Sequence, residues 1–86
     1  MEIKKMASAG TMESSDAYVE IEPGTGLEIT LESVVGQQFG DAIRQAVADV
    51  LAQNGVENAK LRVVDRGALE CVIRARVETA VCRGKE

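Results

Sequence analysis

Residues 11–16 contain the side chains of this sequence best suited to chemistry, namely the adjacent serines Ser14 and Ser15, with Glu13 and Asp16 on either side. A serine nucleophile needs a neighbouring base, and the chain has no histidine. Paired carboxylates act as acid and base only in a cleft that shifts their pKa values, and a domain of 86 residues has little room for one. We therefore expect no catalytic residue in this chain.

Two interpretations of the serine hydroxyls stay open on chemistry alone. Ser and Asp are common in polar turns because their side chains bond to nearby backbone groups, so a solvated turn hydroxyl is the simpler and favoured interpretation. An exposed hydroxyl on such a turn is also a possible acceptor for covalent modification. The same alternatives apply to Glu13 and Asp16, which are typical turn residues.

Composition excludes several other functions. The net charge of −4 and the presence of only two aromatic residues, Tyr18 and Phe39, argue against nucleic-acid binding. The two cysteines, Cys71 and Cys82, lack the spacing of a zinc site, so no metal site is predicted. We interpret them as reduced thiols of a cytoplasmic protein, with Cys71 in the core. No apolar run has the length of about 20 residues that a membrane helix needs.

The hydrophobic pattern predicts the elements that hold this segment. Residues 17–22 and 27–32 alternate and flank a Pro/Gly loop, which predicts a hairpin. From residue 35 to residue 51 the apolar spacing is helical. Residues 60–65 predict a third strand, and the long alternation at 69–78 favours a fourth.

These elements predict an α+β fold: a two-layer sandwich in which a mainly antiparallel four-stranded sheet, hairpin–helix–hairpin, carries one main helix on one face. The single domain spans residues 1–86. We expect a flexible N-terminal segment with the serine at 1–16, a folded body at 17–80 and a tail at 81–86. A helix at 69–80 is the alternative, but it would put Arg76 in the apolar stripe.

The outer face of the predicted sheet is charged in an ordered way. One hairpin presents glutamates and the other presents arginines, which can pair across strands if the hairpins are adjacent. The residues concerned are Glu20, Glu22, Glu28, Glu32, Arg62, Arg74 and Arg76. If the hairpins are apart, this face is a docking surface.

Four separated blocks of the sequence resemble, in register, the acyl carrier (gamma) subunit of citrate lyase. They are AGTMESSD at 9–16, IEP at 21–23, QFGDAIR at 38–44 and DRGALECVIRAR at 65–76. The resemblance runs from about Lys5 to Arg83. It departs from the family at Met12, where an aliphatic residue such as Leu is expected, at Arg66, where Lys is usual, and at Glu70, where Asp is usual.

The resemblance implies that Ser14 carries 2'-(5''-phosphoribosyl)-3'-dephospho-coenzyme A through a phosphodiester. Ser15, at a position that can be Gly in relatives, is the weaker candidate. The citrate lyase alpha subunit would exchange acetyl for citrate on the arm's thiol, and the beta subunit would cleave the citryl thioester to oxaloacetate. A prosthetic-group transferase would install the arm and an acetate-dependent ligase would acetylate it. Glu13 and Asp16 would repel the arm's phosphates slightly.

Three other functions remain as alternatives. The carrier of malonate decarboxylase, with a Gly-Ser-Gly-Asp loop and a similar arm, is the nearest within the same class. The chain could otherwise be a non-catalytic assembly subunit whose Ser14 loop only packs against a partner, or a free-standing small-molecule binding module. Intact mass distinguishes a modified carrier from the last two.

Overall fold

A computed structural model describes residues 2–33 and 40–86 of the chain. In this part of the chain, four strands form one sheet in the order β1-β2-β4-β3, with two helices packed against it. The elements are β1 (Ala7–Gly10), β2 (Ala17–Glu22), β3 (Leu27–Ser33), α1 (Gly40–Gln53), β4 (Ala59–Asp65) and α2 (Glu70–Gly84). The α+β class and the number of strands are as predicted, whereas the identity of one strand, the second helix and the mixed sheet differ from the prediction.

The predicted hairpin of β2 and β3 is wrong, because β4 lies between these strands. β4 pairs antiparallel with β2 and parallel with β3, so the sheet is mixed. A parallel neighbour needs a crossover connection, and α1 lies in the segment between β3 and β4. β4 has Leu61 and Val63 buried, while β3 at the edge has no fully buried residue. The strand with the most buried residues, β4, therefore lies between the other two.

The charges on the open face of the sheet explain why this order is favourable. Lys60 of β4 lies between Glu22 of β2 and Glu28 of β3, and Arg62 of β4 forms ion pairs with Glu20 at 3.2 Å and Glu32 at 2.9 Å. A direct β2–β3 hairpin would instead have placed two glutamate-rich strands side by side. Opposite charges on neighbouring strands stabilise a sheet and like charges destabilise it. The predicted cross-strand pairing is thus present for Arg62.

The predicted fourth strand at residues 69–78 is wrong: residues 70–84 form helix α2. Its buried positions are Ile73, Val77, Ala80, Val81 and Gly84, which follow helical and not alternating spacing. Cys71, predicted as a core residue, is exposed. The alternation of apolar and polar residues at 69–78 therefore does not reflect a strand, because this segment buries the residues of one helical face.

Residues close to both ends of the described chain bond to the fold, and α2 continues through residues 81–84 of the predicted tail. β1 pairs with β2 along its length, and Ile3 is 5% exposed in the core. The N–H groups of Lys4 and Lys5 donate to the carbonyl of Gly84, which lies at the end of α2. The N-terminal segment thereby satisfies a backbone acceptor that a helix end leaves free.

α1 (Gly40–Gln53) confirms the part of the helix predicted at 35–51 that is described, while positions 35–39 lie outside the described residues. It packs against α2 and β3, and it contributes Val47 and Leu51 to the core. α2 packs against β1 and β2. The β1–β2 end of the sheet therefore carries both a connecting loop at its tip and a helix on its inner face, and this combination positions the predicted site.

Candidate functional site

Ser14 lies in the loop of residues 11–16, which joins the antiparallel strands β1 and β2. The residue is exposed, as are Glu13 and Ser15 beside it. No hydrogen bond joins the Ser14 hydroxyl to any other described residue. The loop thus presents the Ser14 hydroxyl to solvent, and no described side chain forms a hydrogen bond to it that could activate it as a nucleophile.

Asp16 fixes the base of this loop. Its carboxylate accepts hydrogen bonds from the Thr11 hydroxyl at 2.7 Å, from the Ala17 N–H at 2.7 Å, and from Nε and Nη2 of Arg76 at 3.0 and 3.1 Å. These hydrogen bonds lower the pKa of Asp16 from 3.8 to about 2. The bond from Thr11 contributes most, followed by those from Arg76 and Ala17. A carboxylate so fully engaged holds the loop in place, so its role differs from the phosphate repulsion suggested by the sequence.

The backbone of the loop is braced by the turn that follows β4. The Ser15 N–H donates to the Arg66 carbonyl at 2.8 Å, and the Arg66 N–H donates to the Asp16 carbonyl at 2.9 Å. The Asp16 N–H also donates to the Glu13 carbonyl at 3.2 Å, which closes the turn around Ser14. Every residue next to Ser14 is therefore bonded through its backbone while the Ser14 side chain stays free.

Ser15 adopts a left-handed conformation with φ of 67°. Residues other than Gly, Asn and Asp rarely adopt this backbone conformation without strain. This conformation accompanies the hydrogen bond from the Ser15 N–H to the Arg66 carbonyl. It also gives a physical reason why the resemblance allows Gly at this position.

The bracing turn is itself fixed by a buried carboxylate. Asp65, 2% exposed, accepts hydrogen bonds from the Gly67 N–H at 3.0 Å, from the Ala68 N–H at 2.8 Å and from the Ser33 hydroxyl at 2.9 Å. Asp and Gly at these positions suit such a turn, since the carboxylate caps the backbone and Gly67 has φ of 91°. Two blocks of the resemblance, 9–16 and 65–76, therefore meet in space.

Gly10 is required where β1 enters the loop. Its φ is 91°, and a Cβ at this position would overlap the Ala17 carbonyl oxygen. The same Cβ would also lie 3.2 Å from the Arg76 side chain. The backbone of β1 thus approaches β2 and α2 closely at the point where the loop begins.

Sequence reasoning placed Ser14 correctly on an exposed turn and missed the role of Arg76. We interpreted Arg76 as part of a solvated sheet face, whereas it lies on α2 and holds Asp16. The sequence did contain a signal. If residues 69–80 form a helix, Arg76 falls in its apolar stripe, and a charged residue in such a stripe needs a partner. The described residues contain no group of three or more His, Cys, Asp or Glu side chains able to hold a metal, and none of their helices has the length and apolarity needed to cross a membrane.

Comparison with known proteins identifies the family. The acyl carrier family described as malonate decarboxylase delta subunit matches residues 4–84. The citrate lyase acyl carrier protein 2 of Salmonella typhimurium is 52% identical over 88 residues, which cover 100% of this chain and 91% of that protein. The citrate lyase acyl carrier protein of Escherichia fergusonii is 53% identical with the same coverage, and that of Clostridium perfringens is 49% identical, with 87% of its length covered.

A solved structure shares the fold at lower identity. The crystal structure of a Pseudomonas malonate decarboxylase hetero-tetramer in complex with malonate contains a chain with a TM-score of 0.80 and 20% identity. The match covers 96% of this chain and 91% of that one. At this identity the likeness supports the mixed sheet and two helices and nothing further. The sequence relatives, together with the family match over nearly the whole chain, show that this chain belongs to the citrate lyase acyl carrier protein family.

Proposed function

We propose that this chain is the acyl carrier subunit of a citrate lyase and that Ser14 is the attachment point of 2'-(5''-phosphoribosyl)-3'-dephospho-coenzyme A. The observation that carries the proposal is the Ser14 hydroxyl, exposed and without a partner among the described residues, on a loop whose adjacent backbone is bonded to the fold. The chain itself is not an enzyme; it presents a group on which the catalytic subunits act.

The residues present fit such a group. A phosphodiester on Ser14 needs an exposed oxygen, space outside the loop and a loop whose backbone is held firmly by the rest of the fold. Asp16, Arg76 and the backbone of Arg66 supply that anchor through hydrogen bonds of 2.7 to 3.1 Å. When bound, the group supplies a thiol for acetyl and citryl thioesters, on which the alpha and beta subunits of citrate lyase would act.

The chain's own contribution is to hold the arm at a fixed origin. A short, braced loop on a small rigid body keeps the tethered thiol within reach of neighbouring subunits. Tethering raises the effective concentration of the thiol at each active site, to the millimolar range for short flexible tethers. The alpha and beta subunits are therefore the proposed partners, with a prosthetic-group transferase that installs the arm and an acetate-dependent ligase that acetylates it, in the cytoplasm.

The second candidate is a carrier for a malonate-decarboxylase-like complex. The name of the matching family favours it, whereas the identities near 50% favour citrate lyase. The two carriers would share the fold and the serine, so only the partner enzymes distinguish them. Purified alpha and beta subunits of citrate lyase that turn over citrate with this carrier, and no turnover with malonate decarboxylase subunits, would decide for the first.

The test of the attachment site is the intact mass of the protein co-produced with the transferase, followed by fragmentation. We expect the mass of the phosphoribosyl dephospho-coenzyme A adduct on Ser14, its absence in Ser14→Ala and its retention in the matched control Ser15→Ala. An adduct on Ser15, or undiminished citrate cleavage with Ser14→Ala, contradicts the site. A protein without any adduct in an active complex indicates the alternative of a structural assembly subunit.

A further inference from the structure

Arg66 differs from the other arginines of this chain. The sequence contains six, and five of them bond through their side chains to described residues: Arg44 to the Ile29 carbonyl, Arg62 to Glu20 and Glu32, Arg74 to Asp49 and Glu70, Arg76 to Asp16, and Arg83 to the Ser8 carbonyl. The Arg66 side chain is exposed and has no such partner in the described part of the chain.

The backbone of Arg66 is bonded to the loop that carries the serine. Its carbonyl accepts the N–H of Ser15 and its N–H donates to the carbonyl of Asp16, the two residues that follow Ser14. The turn that carries it is held by the buried carboxylate of Asp65. The backbone of Arg66 is therefore held against the two residues that follow Ser14, while its long exposed side chain is free to turn toward a bound group.

Among the described cationic residues that bond to the loop, Arg66 is the one whose side chain remains available to an anion at Ser14. The opposite charges of Arg76 and Asp16 compensate each other in their bidentate contact of two hydrogen bonds. Glu13 has no ion pair among the described residues and adds one negative charge. Without Arg66, a phosphodiester on Ser14 would meet only this repulsion. A guanidinium offers planar, paired N–H donors that match phosphate oxygens.

We propose that Arg66 binds the phosphodiester that joins the prosthetic group to Ser14, and so sets the direction in which the arm leaves the loop. This inference rests on the proposed function, since it needs a phosphodiester at Ser14. Arg66 is a positioning residue: it contacts the first phosphate of the arm and leaves the distant thiol free to move. The rest of the arm is then a shorter tether with a defined origin.

The test compares the protein produced with and without the transferase, after intact mass has established the state of each sample. The first measurement is the Nε–Hε signal of Arg66 in a ¹⁵N-correlated NMR spectrum. We expect attachment to move this signal downfield, and 1 M NaCl to reverse the movement, because screening shortens the Debye length from about 10 Å at 0.1 M salt to about 3 Å at 1 M. Ser14→Ala treated with the transferase should show no movement.

The second measurement is the ³¹P transverse relaxation of the phosphodiester, whose signal is separate from the pyrophosphate signals of the arm. We expect faster relaxation in the wild type than in Arg66→Gln, with partial recovery in Arg66→Lys, which keeps the charge. The matched control is Arg44→Gln, which removes another exposed arginine, one whose side chain bonds to β3, the strand at the opposite edge of the sheet from β1. This control should relax as the wild type does.

The outcomes separate this inference from the function on which it rests. If wild-type protein acquires no adduct from the transferase, the proposed function itself fails. If the adduct is present on Ser14 but the Arg66 signal does not move, or Arg66→Gln relaxes as fast as the wild type, the binding of the phosphodiester by Arg66 is wrong while the carrier function stands. The comparison of wild-type samples decides the matter even if Arg66→Gln folds poorly.

Discussion

The guanidinium of Arg76 and the carboxylate of Asp16, 60 residues apart in sequence, form two parallel hydrogen bonds of 3.0 and 3.1 Å. This pair joins helix α2 to the loop that carries Ser14. The Asp16 side chain is 16% exposed and that of Arg76 is 40% exposed, so the contact is partly shielded from water. Two-fold Arg–carboxylate contacts are among the more geometrically specific polar contacts in proteins. The position of the serine therefore depends on a residue far away in the chain.

The first prediction concerns the removal of this anchor. Asp16→Asn loses the charge that holds Arg76 and weakens the acceptor for the Thr11 hydroxyl and the Ala17 N–H, so we expect lower stability and a more mobile loop without loss of the fold. Chemical denaturation and backbone relaxation at residues 11–16 measure the two effects. Glu57→Gln, which changes an exposed carboxylate outside these contacts, is the control. Equal stability of the two variants would mean that Asp16 does not anchor the loop.

The pH dependence of stability follows from the same contact. The pKa of Asp16 is lowered from 3.8 to about 2, so folding favours the ionised form. The stabilisation is fully present above about pH 5 and is lost as the pH falls through about 2. Between pH 5 and pH 2, wild-type protein should lose more unfolding free energy than Asp16→Asn. Asp49, whose pKa is lowered by Gln45 and Arg74, contributes the same background to both proteins. Parallel curves would contradict the assignment.

The second prediction concerns the left-handed residue beside the site. Ser15 has φ of 67°, a region that costs non-glycine residues about 1 to 3 kcal/mol. Because Ser15→Gly removes that strain but adds freedom to the unfolded chain, we expect a change between zero and about 1 kcal/mol of stabilisation. Ser15→Val should destabilise by about 1 to 2 kcal/mol. Urea unfolding measures both. A more stable Val variant would show that the turn does not need this conformation.

The third prediction separates strain from close contact at two glycines with the same φ of 91°. Gly10→Ala would drive a Cβ into the Ala17 carbonyl, whereas a Cβ on Gly67 meets no described atom within 4 Å. We expect Gly67→Ala to cost about 1 to 2 kcal/mol from conformation alone, and Gly10→Ala to cost at least about 2 kcal/mol more. Thermal and urea unfolding of the two variants give the difference. Similar losses would mean that β1 does not approach β2 so closely.

The fourth prediction tests α2 against the strand that the sequence suggests. In a strand, Cys71 and Ile73 would share the buried face; in α2, Ile73 is 2% exposed and Cys71 is exposed. Ile73→Ala should therefore cost about 2 to 5 kcal/mol, and Cys71→Ala no more than about 0.5 kcal/mol. Both cysteines of the folded protein should react with a thiol reagent at rates close to those of the unfolded chain. A protected Cys71 would support the strand.

The local hydrophobic pattern was enough to predict three of the strands and one helix. β2, β3 and β4 lie where alternation predicts strands, and the described part of the helix predicted at 35–51 is α1, since burial on one face leaves a period that can be read directly. The exposure of Ser14 also followed from residue type, because Ser, Asp and Thr between two apolar segments favour a solvated turn. The resemblance to a carrier family depended on these same short segments. Each of these inferences needs only neighbours within about ten residues.

Strand order, the nature of residues 70–84 and the support of the serine loop were decided by tertiary structure alone. Alternation shows that a strand has one apolar face, but it does not name the partner, so the pairing of β4 between β2 and β3 was missed. Arg76 argued against a helix because a charge in an apolar stripe is costly unless it is paired. Its partner, Asp16, lies at the other end of the chain, and only the packing of α2 on β1 and β2 brings the two charges together.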